Sequence, residues 1–242
     1  NAGLIFIPDI SGFTRFVKQT EIEHSSHIIS ELLEILIEAN QLGMEMIEIE
    51  GDAILFFKAA DIPSLEALII QAETMFISFH KHLKRYESER ICRCGACRTA
   101  INLSLKFIIH LDEVKPIQVG SHKKLHGKSV ILAHRLLKND LKLNEYILLT
   151  RIFEQQIADF DHSKLLNPYA FESLNMNLKD FDENQFYYIH LEKLKSQLPM
   201  LPPVQLSKAG TYQTTSEISI ECSIDQVYEY LSELQHRVDW NP

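Results

Sequence analysis

Three features are missing from this sequence, and each absence removes a class of protein. No apolar run approaches the ~20 residues that a membrane-spanning helix needs, so we expect no membrane span. The sequence does not contain a charged stretch followed by an apolar one, which is the pattern of a secretory signal peptide. We therefore expect a cytoplasmic protein. Lysine and arginine form no cluster long enough to follow a phosphate backbone, and the net charge is -9. We accordingly expect no nucleic-acid partner.

Cysteine is also scarce, with 4 in 242 residues, but Cys92, Cys94 and Cys97 fall within one short stretch. Three thiols at this spacing supply three of the four ligands of a tetrahedral zinc site. The candidates for the fourth ligand are His80, His82 and His110. The alternative is a loop of reduced surface thiols, because disulfides are rare in the cytoplasm.

Two aspartates stand where apolar runs end or begin. Residues 3–8 are nearly all apolar, which predicts a strand covered on both faces, and Asp9 follows them. Residues 44–50 and 53–58 predict the two strands of a hairpin, with Asp52 in the turn between them. If the hairpin lies beside the first strand, Asp9 and Asp52 meet at one sheet edge.

A pair of carboxylates at this place predicts a metal site, because an unpaired buried charge costs several kcal/mol. Two carboxylates and the phosphate oxygens of a ligand are a usual shell for Mg²⁺ or Mn²⁺. Gly12, Phe13 and Thr14 lead from Asp9 into a helical stretch, and their backbone amides are placed to bind a polyphosphate. The alternative is that the aspartates are turn or capping residues and that Thr14 caps the helix.

Three stretches, in this order, resemble the signatures of class III nucleotide cyclase domains. They are Asp-Ile-Ser-Gly-Phe-Thr at 9–14, Glu-Gly-Asp-Ala-Ile-Leu at 50–55 and Gly-Lys-Ser-Val-Ile-Leu-Ala-His-Arg-Leu at 127–136. The resemblance covers residues 3–192 and indicates a divergent bacterial member. It implies an α+β, ferredoxin-like domain with an antiparallel-rich sheet covered by helices. It also implies that Asp9 and Asp52 bind Mg²⁺ or Mn²⁺, with the Ile10 carbonyl as a further ligand.

The same resemblance assigns roles to residues outside the metal site. Arg135 is similar to the arginine that stabilises the transition state, and Lys179 to a phosphate-binding lysine. Glu48 resembles the base-reading residue of the guanine type. Two positions depart from the family pattern: Ile131 replaces an asparagine that orients the ribose, and Lys124 matches neither purine type. Alternatively, Arg135 is a surface arginine on a helix and Glu48 a solvated strand residue.

These resemblances imply a domain that binds a nucleoside triphosphate with Mg²⁺ or Mn²⁺ and is regulatory or weakly active in nucleotide signalling. The alternative is an active cyclase that forms cyclic nucleotide and pyrophosphate. Class III sites form between two domains, and this chain has one copy of each signature. We therefore expect a homodimer.

Hydrophobic periodicity predicts further elements along the chain. The predicted helices are 21–40, 64–86 and 129–138, and the predicted strands are 103–110, 117–120 and 186–191.

The C-terminal part has a different character. Residues 193–211 contain three prolines and little periodicity, which predicts a linker. Residues 212–242 resemble the opening strand and helix of a START-like helix-grip domain, an incomplete part of a fold of about 100 residues. A third alternative is thus a protein that acts by binding a lipid-like ligand through this part.

Overall fold

The structure is a computed structural model that describes residues 2–20, 22–88, 99–160, 170–179, 181 and 184–198. The chain divides into two units, Asn1–Val204 and Gln205–Pro242, and every described residue belongs to the first. The helix-grip segment predicted at 212–242 lies outside the described residues, as does most of the predicted linker. The domain boundaries therefore stay a prediction.

Strand β1 (Ala2–Ser11) is central to the fold, and residues 3–10 of it are all buried. Its antiparallel neighbours are β3 (Ala53–Lys58) on one side and β4 (Ser104–Glu113) on the other. The prediction of a strand covered on both faces is confirmed, because an uninterrupted apolar run has a place only between two apolar layers.

In the described part of the chain, the main sheet has seven strands in the order β2-β3-β1-β4-β7-β9-β8. The remaining strands are β2 (Glu45–Glu50), β7 (Tyr146–Thr150), β8 (Glu172–Asn175) and β9 (Gln185–His190). Strands β4 and β7 run parallel, and the other neighbouring pairs run antiparallel. The prediction of an α+β, antiparallel-rich sheet covered by helices is confirmed.

Helices cover both faces of this sheet. On one face, α2 (Ile22–Glu38) and α3 (Leu65–Ser88) pack against alternate residues of β1, such as Leu4 and Phe6. On the other face, α4 (Lys128–Leu136) packs against Ile5 and Ile7. Two short helices are α1 (Phe13–Lys18) and α5 (Glu154–Ala158). None of the helices among the described residues is long and apolar enough to cross a membrane.

A separate two-stranded ribbon consists of β5 (Lys115–Val119) and β6 (His122–His126). The predicted strand at 117–120 corresponds to β5, whereas β6 was not predicted because its sequence, His-Lys-Lys-Leu-His, is polar and short. The helices predicted at 21–40, 64–86 and 129–138 agree with α2, α3 and α4 to within a few residues. Among the described residues, short 3₁₀ segments lie at Ala100–Asn102, Arg151–Phe153 and Glu192–Gln197.

His110 is a buried titratable residue within the β4–β7 part of the sheet. Its Nδ1 lies 2.9 Å from the Thr150 hydroxyl, and its Nε2 has no hydrogen-bond partner in the described part of the chain. Burial lowers the pKa of His110 to about 4, although the charge of Asp112 opposes this shift. The imidazole is therefore neutral in the folded protein at neutral pH.

We predict that His110→Gln reduces the acid sensitivity of the fold. The unfolded chain takes up a proton on His110 below its ordinary pKa of 6.5, but the folded chain does so only near 4. Stability is therefore complete above the unfolded pKa and falls as the pH is lowered. Between pH 7 and pH 5 this linkage costs the wild type about 2 kcal/mol that the variant retains.

Urea unfolding of both proteins at the two pH values measures this difference. The control is His126→Gln, at an exposed position of β6, which we expect to lose as much stability in acid as the wild type. The same acid loss in His110→Gln would contradict the prediction.

Candidate functional site

Asp9 and Asp52 lie side by side. Asp9 is opposite Ala53 in the β1–β3 register, so the residue before Ala53 in the hairpin turn is beside the end of β1. The Ile10 amide donates a hydrogen bond of 3.1 Å to the backbone carbonyl of Asp52. The structure thus brings together the three residues predicted as metal ligands.

The two carboxylates affect each other electrostatically. Burial and then the negative charge of Asp9 raise the pKa of Asp52 from 3.8 to about 6. The Asp52 carboxylate is therefore less readily ionised than an exposed one, and a bound cation would lower its pKa again. The pair of carboxylates thus favours the binding of a cation.

Lys106 is a site residue that the sequence reasoning missed. It stands directly opposite Asp9 in the β1–β4 register, and its Nζ is 3.1 Å from Asp9 Oδ2. The same ammonium donates a hydrogen bond of 2.9 Å to the carbonyl of Leu137, just beyond α4. This role could have been predicted from the sequence, because Lys106 is a single lysine inside the apolar run of residues 103–110 and a buried lysine requires an acidic partner.

The donor set fits a hard divalent cation in part. Carboxylate and carbonyl oxygens are the ligands that Mg²⁺ and Mn²⁺ prefer, and Asp9, Asp52 and Ile10 offer only such atoms. However, the described residues contain no group of three or more His, Cys, Asp or Glu side chains that could hold a metal. Ligand oxygens would have to complete the coordination shell.

The predicted phosphate loop directly follows the aspartate strand. Gly12 has φ of 91°, a left-handed conformation that favours glycine, and it immediately precedes α1. Phe13 lies over the hairpin, because a side chain at Gly51 would be 4.0 Å from its ring. Thr14 lies inside α1, and no side-chain cap was found at the start of this helix. The loop directly follows β1, and Phe13 brings it beside the hairpin turn that carries Asp52.

Glu48, the predicted base reader, contacts α4. His134 Nε2 lies 3.6 Å from the Glu48 carboxylate, and His134 Nδ1 lies 3.3 Å from that of Glu50. The two glutamates project from the same face of β2, two residues apart, as expected of a strand. Since His134 precedes Arg135, Glu48 is connected to the helix that carries the predicted catalytic arginine.

Arg135, predicted to stabilise the transition state, and Lys179, predicted to bind phosphate, are neighbours. The Arg135 guanidinium donates a hydrogen bond to the backbone carbonyl of Lys179 and stands 5.1 Å from the centre of the Phe181 ring. Ile131 lies one turn earlier on α4 with 54% of its surface exposed. Because Ile131 is exposed, packing does not require it, and another side chain can be placed at this position without a steric clash.

The three cysteines proposed as zinc ligands lie outside the described residues, and zinc stays a prediction. The histidines considered as the fourth ligand each have another partner. His80 Nε2 is 2.9 Å from the buried Glu145 carboxylate, His82 Nε2 is 3.1 Å from that of Glu31, and His110 contacts Thr150.

The fold is that of nucleotide cyclase catalytic domains. Adenylyl cyclase CyaB from P. aeruginosa superposes with a TM-score of 0.55 at 17% identity, over 79% of this chain and 94% of that one. A bacterial light-regulated adenylyl cyclase gives 0.52 at 14% identity, over 81% and 97%. The guanylate cyclase domain of RhGC from Catenaria anguillulae, solved in complex with GTP, gives 0.51 at 18% identity, over 78% and 95%.

Sequence similarity identifies the family. A family model described as "Protein of unknown function (DUF2652)" matches residues 29–146. The protein named "Uncharacterized protein Rv2561/Rv2562" of Mycobacterium tuberculosis is 31% identical over 163 residues, which are 67% of this chain and 73% of that protein. The chain belongs to the family of this mycobacterial protein.

We predict that Asp52→Asn stabilises the protein when divalent metal is removed by a chelator at pH 8. The raised pKa of Asp52 means that stability falls as the pH rises through about 6, because the ionised carboxylate is then held beside Asp9. After allowance for partial exposure we expect about 1 kcal/mol, or 2–4 °C in melting temperature.

Asp9→Asn is the matched comparison, measured in the same thermal melt. It removes the carboxylate that pairs with Lys106, so the melting temperature should fall. Equal destabilisation by both substitutions would contradict the assigned electrostatics.

Proposed function

We propose that this chain is a divergent cyclase-like domain that binds a nucleoside triphosphate together with Mg²⁺ or Mn²⁺. We further propose that it acts in nucleotide signalling as a regulatory or weakly active module. The observation that carries the proposal is the adjacency of Asp9 and Asp52 at the end of the central strand of a cyclase fold. The GTP complex of the Catenaria domain supports the ligand class.

In this proposal the acidic residues of the chain bind the metal, and its backbone amides and Lys106 face the phosphates. Asp9, Asp52 and the Ile10 carbonyl would hold the metal, which supplies positive charge against the phosphate oxygens. The backbone of residues 12–14 follows directly, and its amides bind the polyphosphate. Lys106 stands within hydrogen-bonding reach of Asp9 and adds a fixed positive charge at the same place.

The base and part of the phosphate chain of the ligand would contact residues on or beside α4. Glu48 is an acceptor for the N–H groups of a guanine edge, while Arg135 and Lys179 offer charge to the phosphates. Because class III sites are shared between two domains, we propose that a homodimer brings the Arg135 and Lys179 of one protomer to the aspartates of its partner.

An active cyclase is the second candidate, because Arg135 and Lys179, which resemble the transition-state arginine and the phosphate-binding lysine of cyclases, adjoin each other through the Lys179 backbone carbonyl. Ile131 argues against ordinary turnover, because an isoleucine side chain neither donates nor accepts a hydrogen bond. A donor needed in the transition state contributes about 3–4 kcal/mol, or a hundred- to a thousand-fold in rate.

Ligand binding is tested by thermal melting with Mg²⁺ or Mn²⁺ and a panel of nucleoside triphosphates. At a ligand concentration of 100 times Kd, we expect stabilisation by about 2.7 kcal/mol. Asp9→Asn and Asp52→Asn should each abolish the shift, even though Asp52→Asn raises the starting melting temperature. Asp140→Asn, at an exposed position, is the control that should keep it. A shift that persists in both site variants would refute the metal assignment.

Turnover is tested by measuring cyclic nucleotide by mass spectrometry. The wild type should be very slow, and Ile131→Asn should raise the rate by about a hundred-fold or more because it restores the missing hydrogen-bonding group. Ile131→Val is the control and should leave the rate unchanged. A wild-type rate near 10 s⁻¹, ordinary for an enzyme, would show that Ile131 is no impediment.

A further inference from the structure

A cavity of about 270 Å³ lies where α1 faces the first residue of β4 and the loop before β7. Part of its wall is apolar, because Phe16 and Leu103 line it and are each 2% exposed. An apolar wall with a few convergent polar groups is the usual composition of a small-molecule site. The polar residues of the described wall include Arg15, Gln19, Asn102, Ser104 and Asn144.

Ser104 places a buried hydroxyl group in this wall. The residue is 8% exposed, yet within the described chain its hydroxyl has no hydrogen-bond partner. The side chains of Arg15, Asn102 and Asn144 likewise have no hydrogen bond or ion pair with any described residue. Buried polar groups in proteins are nearly always hydrogen-bonded, to the protein or to a bound molecule. Four polar groups around one cavity are thus available to a ligand.

Arg15 determines the charge of this cavity, because it is the one charged side chain in the described wall. An adjoining cavity of about 380 Å³ has a mixed charge, with two glutamates and two lysines in its wall, and Glu145 is paired there with Lys195 at 2.7 Å. A guanidinium beside neutral amides and a hydroxyl favours a carboxylate or a phosphate group. The cavity beside Arg15 is therefore the one whose chemistry selects an anion.

The cavity lies on the opposite side of β1 from the hairpin that carries Asp52. Strand β3 of the hairpin adjoins β1 on one side, and β4 followed by β7 adjoins it on the other. Ser104 stands opposite Ser11, two register positions beyond the pair of Lys106 and Asp9. This separation is about 7 Å along the strand. The cavity is thus adjacent to the aspartate pair but separate from it.

We propose that this cavity binds a small organic anion, with the carboxylate or phosphate group on Arg15 and hydroxyl groups of the ligand on Asn102, Ser104 and Asn144. Ligand pockets usually measure about 300–1,000 Å³, so a cavity of about 270 Å³ suits a molecule of a few carbon atoms rather than a nucleoside triphosphate. The proposal is independent of the proposed function, because none of these four side chains is among the metal-binding or phosphate-binding groups assigned there.

Isothermal titration calorimetry, with a chelator present and at constant ionic strength, tests this site. The probes are glycerol phosphate and malate, which present the two kinds of anionic group, and glycerol is the uncharged control. We expect saturable binding of at least one of the two anions and no binding of glycerol. Binding of one anion alone supports the proposal and identifies the group that the site accepts.

Two variants test the assigned contacts. Arg15→Gln should raise the dissociation constant of the anion by about tenfold or more, because a charge-assisted hydrogen bond is lost. Ser104→Ala should raise it several-fold but leave the melting temperature of the ligand-free protein unchanged, since the hydroxyl has no partner among the described residues. The control is Lys18→Gln, at an exposed position of the same helix outside the cavity wall, which should bind as the wild type does.

Absence of saturable binding for both anions, an unchanged affinity in Arg15→Gln, or equal weakening in Lys18→Gln would overturn the proposal. Circular dichroism melting checks that every variant is folded. The melting shift with metal and nucleoside triphosphate is measured on the same samples and should persist in Arg15→Gln. Its loss in that variant would assign Arg15 to the nucleotide site and overturn the proposal, whereas its absence from the wild type would refute the proposed function alone.

Discussion

A carboxylate at the end of a strand buried on both faces is the constraint on which this structure depends. Asp9 lies in β1, two residues before its end at Ser11, and is one of the buried residues 3–10; a desolvated charge in such a place requires a nearby cation. Lys106 meets that requirement from the adjacent strand at 3.1 Å. The need for positive charge is increased by Asp52, because the second carboxylate stands beside the first.

Lys106, the partner of Asp9, also helps to position α4. Lys106 donates to the carbonyl of Leu137, so the charge at the strand end is connected to the C-terminal end of α4. The same helix carries His134, which contacts Glu48 and Glu50, and Arg135, which contacts residue 179. The candidate site is thus a network between strands and one helix rather than a set of isolated side chains.

The cyclase fold persists at 14% to 18% identity with its structural neighbours because packing requires apolar volume at the correct period, not particular residues. Residues that bind a ligand or catalyse a reaction tolerate substitution less well than residues that only pack. In the proposed function, Ile131 stands where a cyclase has an asparagine, and its largely exposed side chain can occupy this position without disturbing α4 but offers no hydrogen bond. A fold can therefore persist where its chemistry changes.

The residues with strong local signals were predictable. The apolar run of β1, the hairpin around Asp52 and the amphipathic patterns of α2, α3 and α4 each follow from hydrophobic period and turn chemistry. The adjacency of Asp9 and Asp52 followed once the hairpin was placed beside β1. Strand β6 was missed because a short, exposed, polar strand has no apolar alternation to reveal it.

The sequence by itself determined the period of each element and the position of Asp9 and Asp52 at the ends of apolar runs. Only the tertiary structure decided which side chains face each other: Lys106 opposite Asp9, His134 between two glutamates, and Lys123 beside Glu45. These pairings depend on strand register and helix placement, which join residues from tens to nearly a hundred positions apart. Local propensity has no information on such distances, because they are set by the packing of the whole domain.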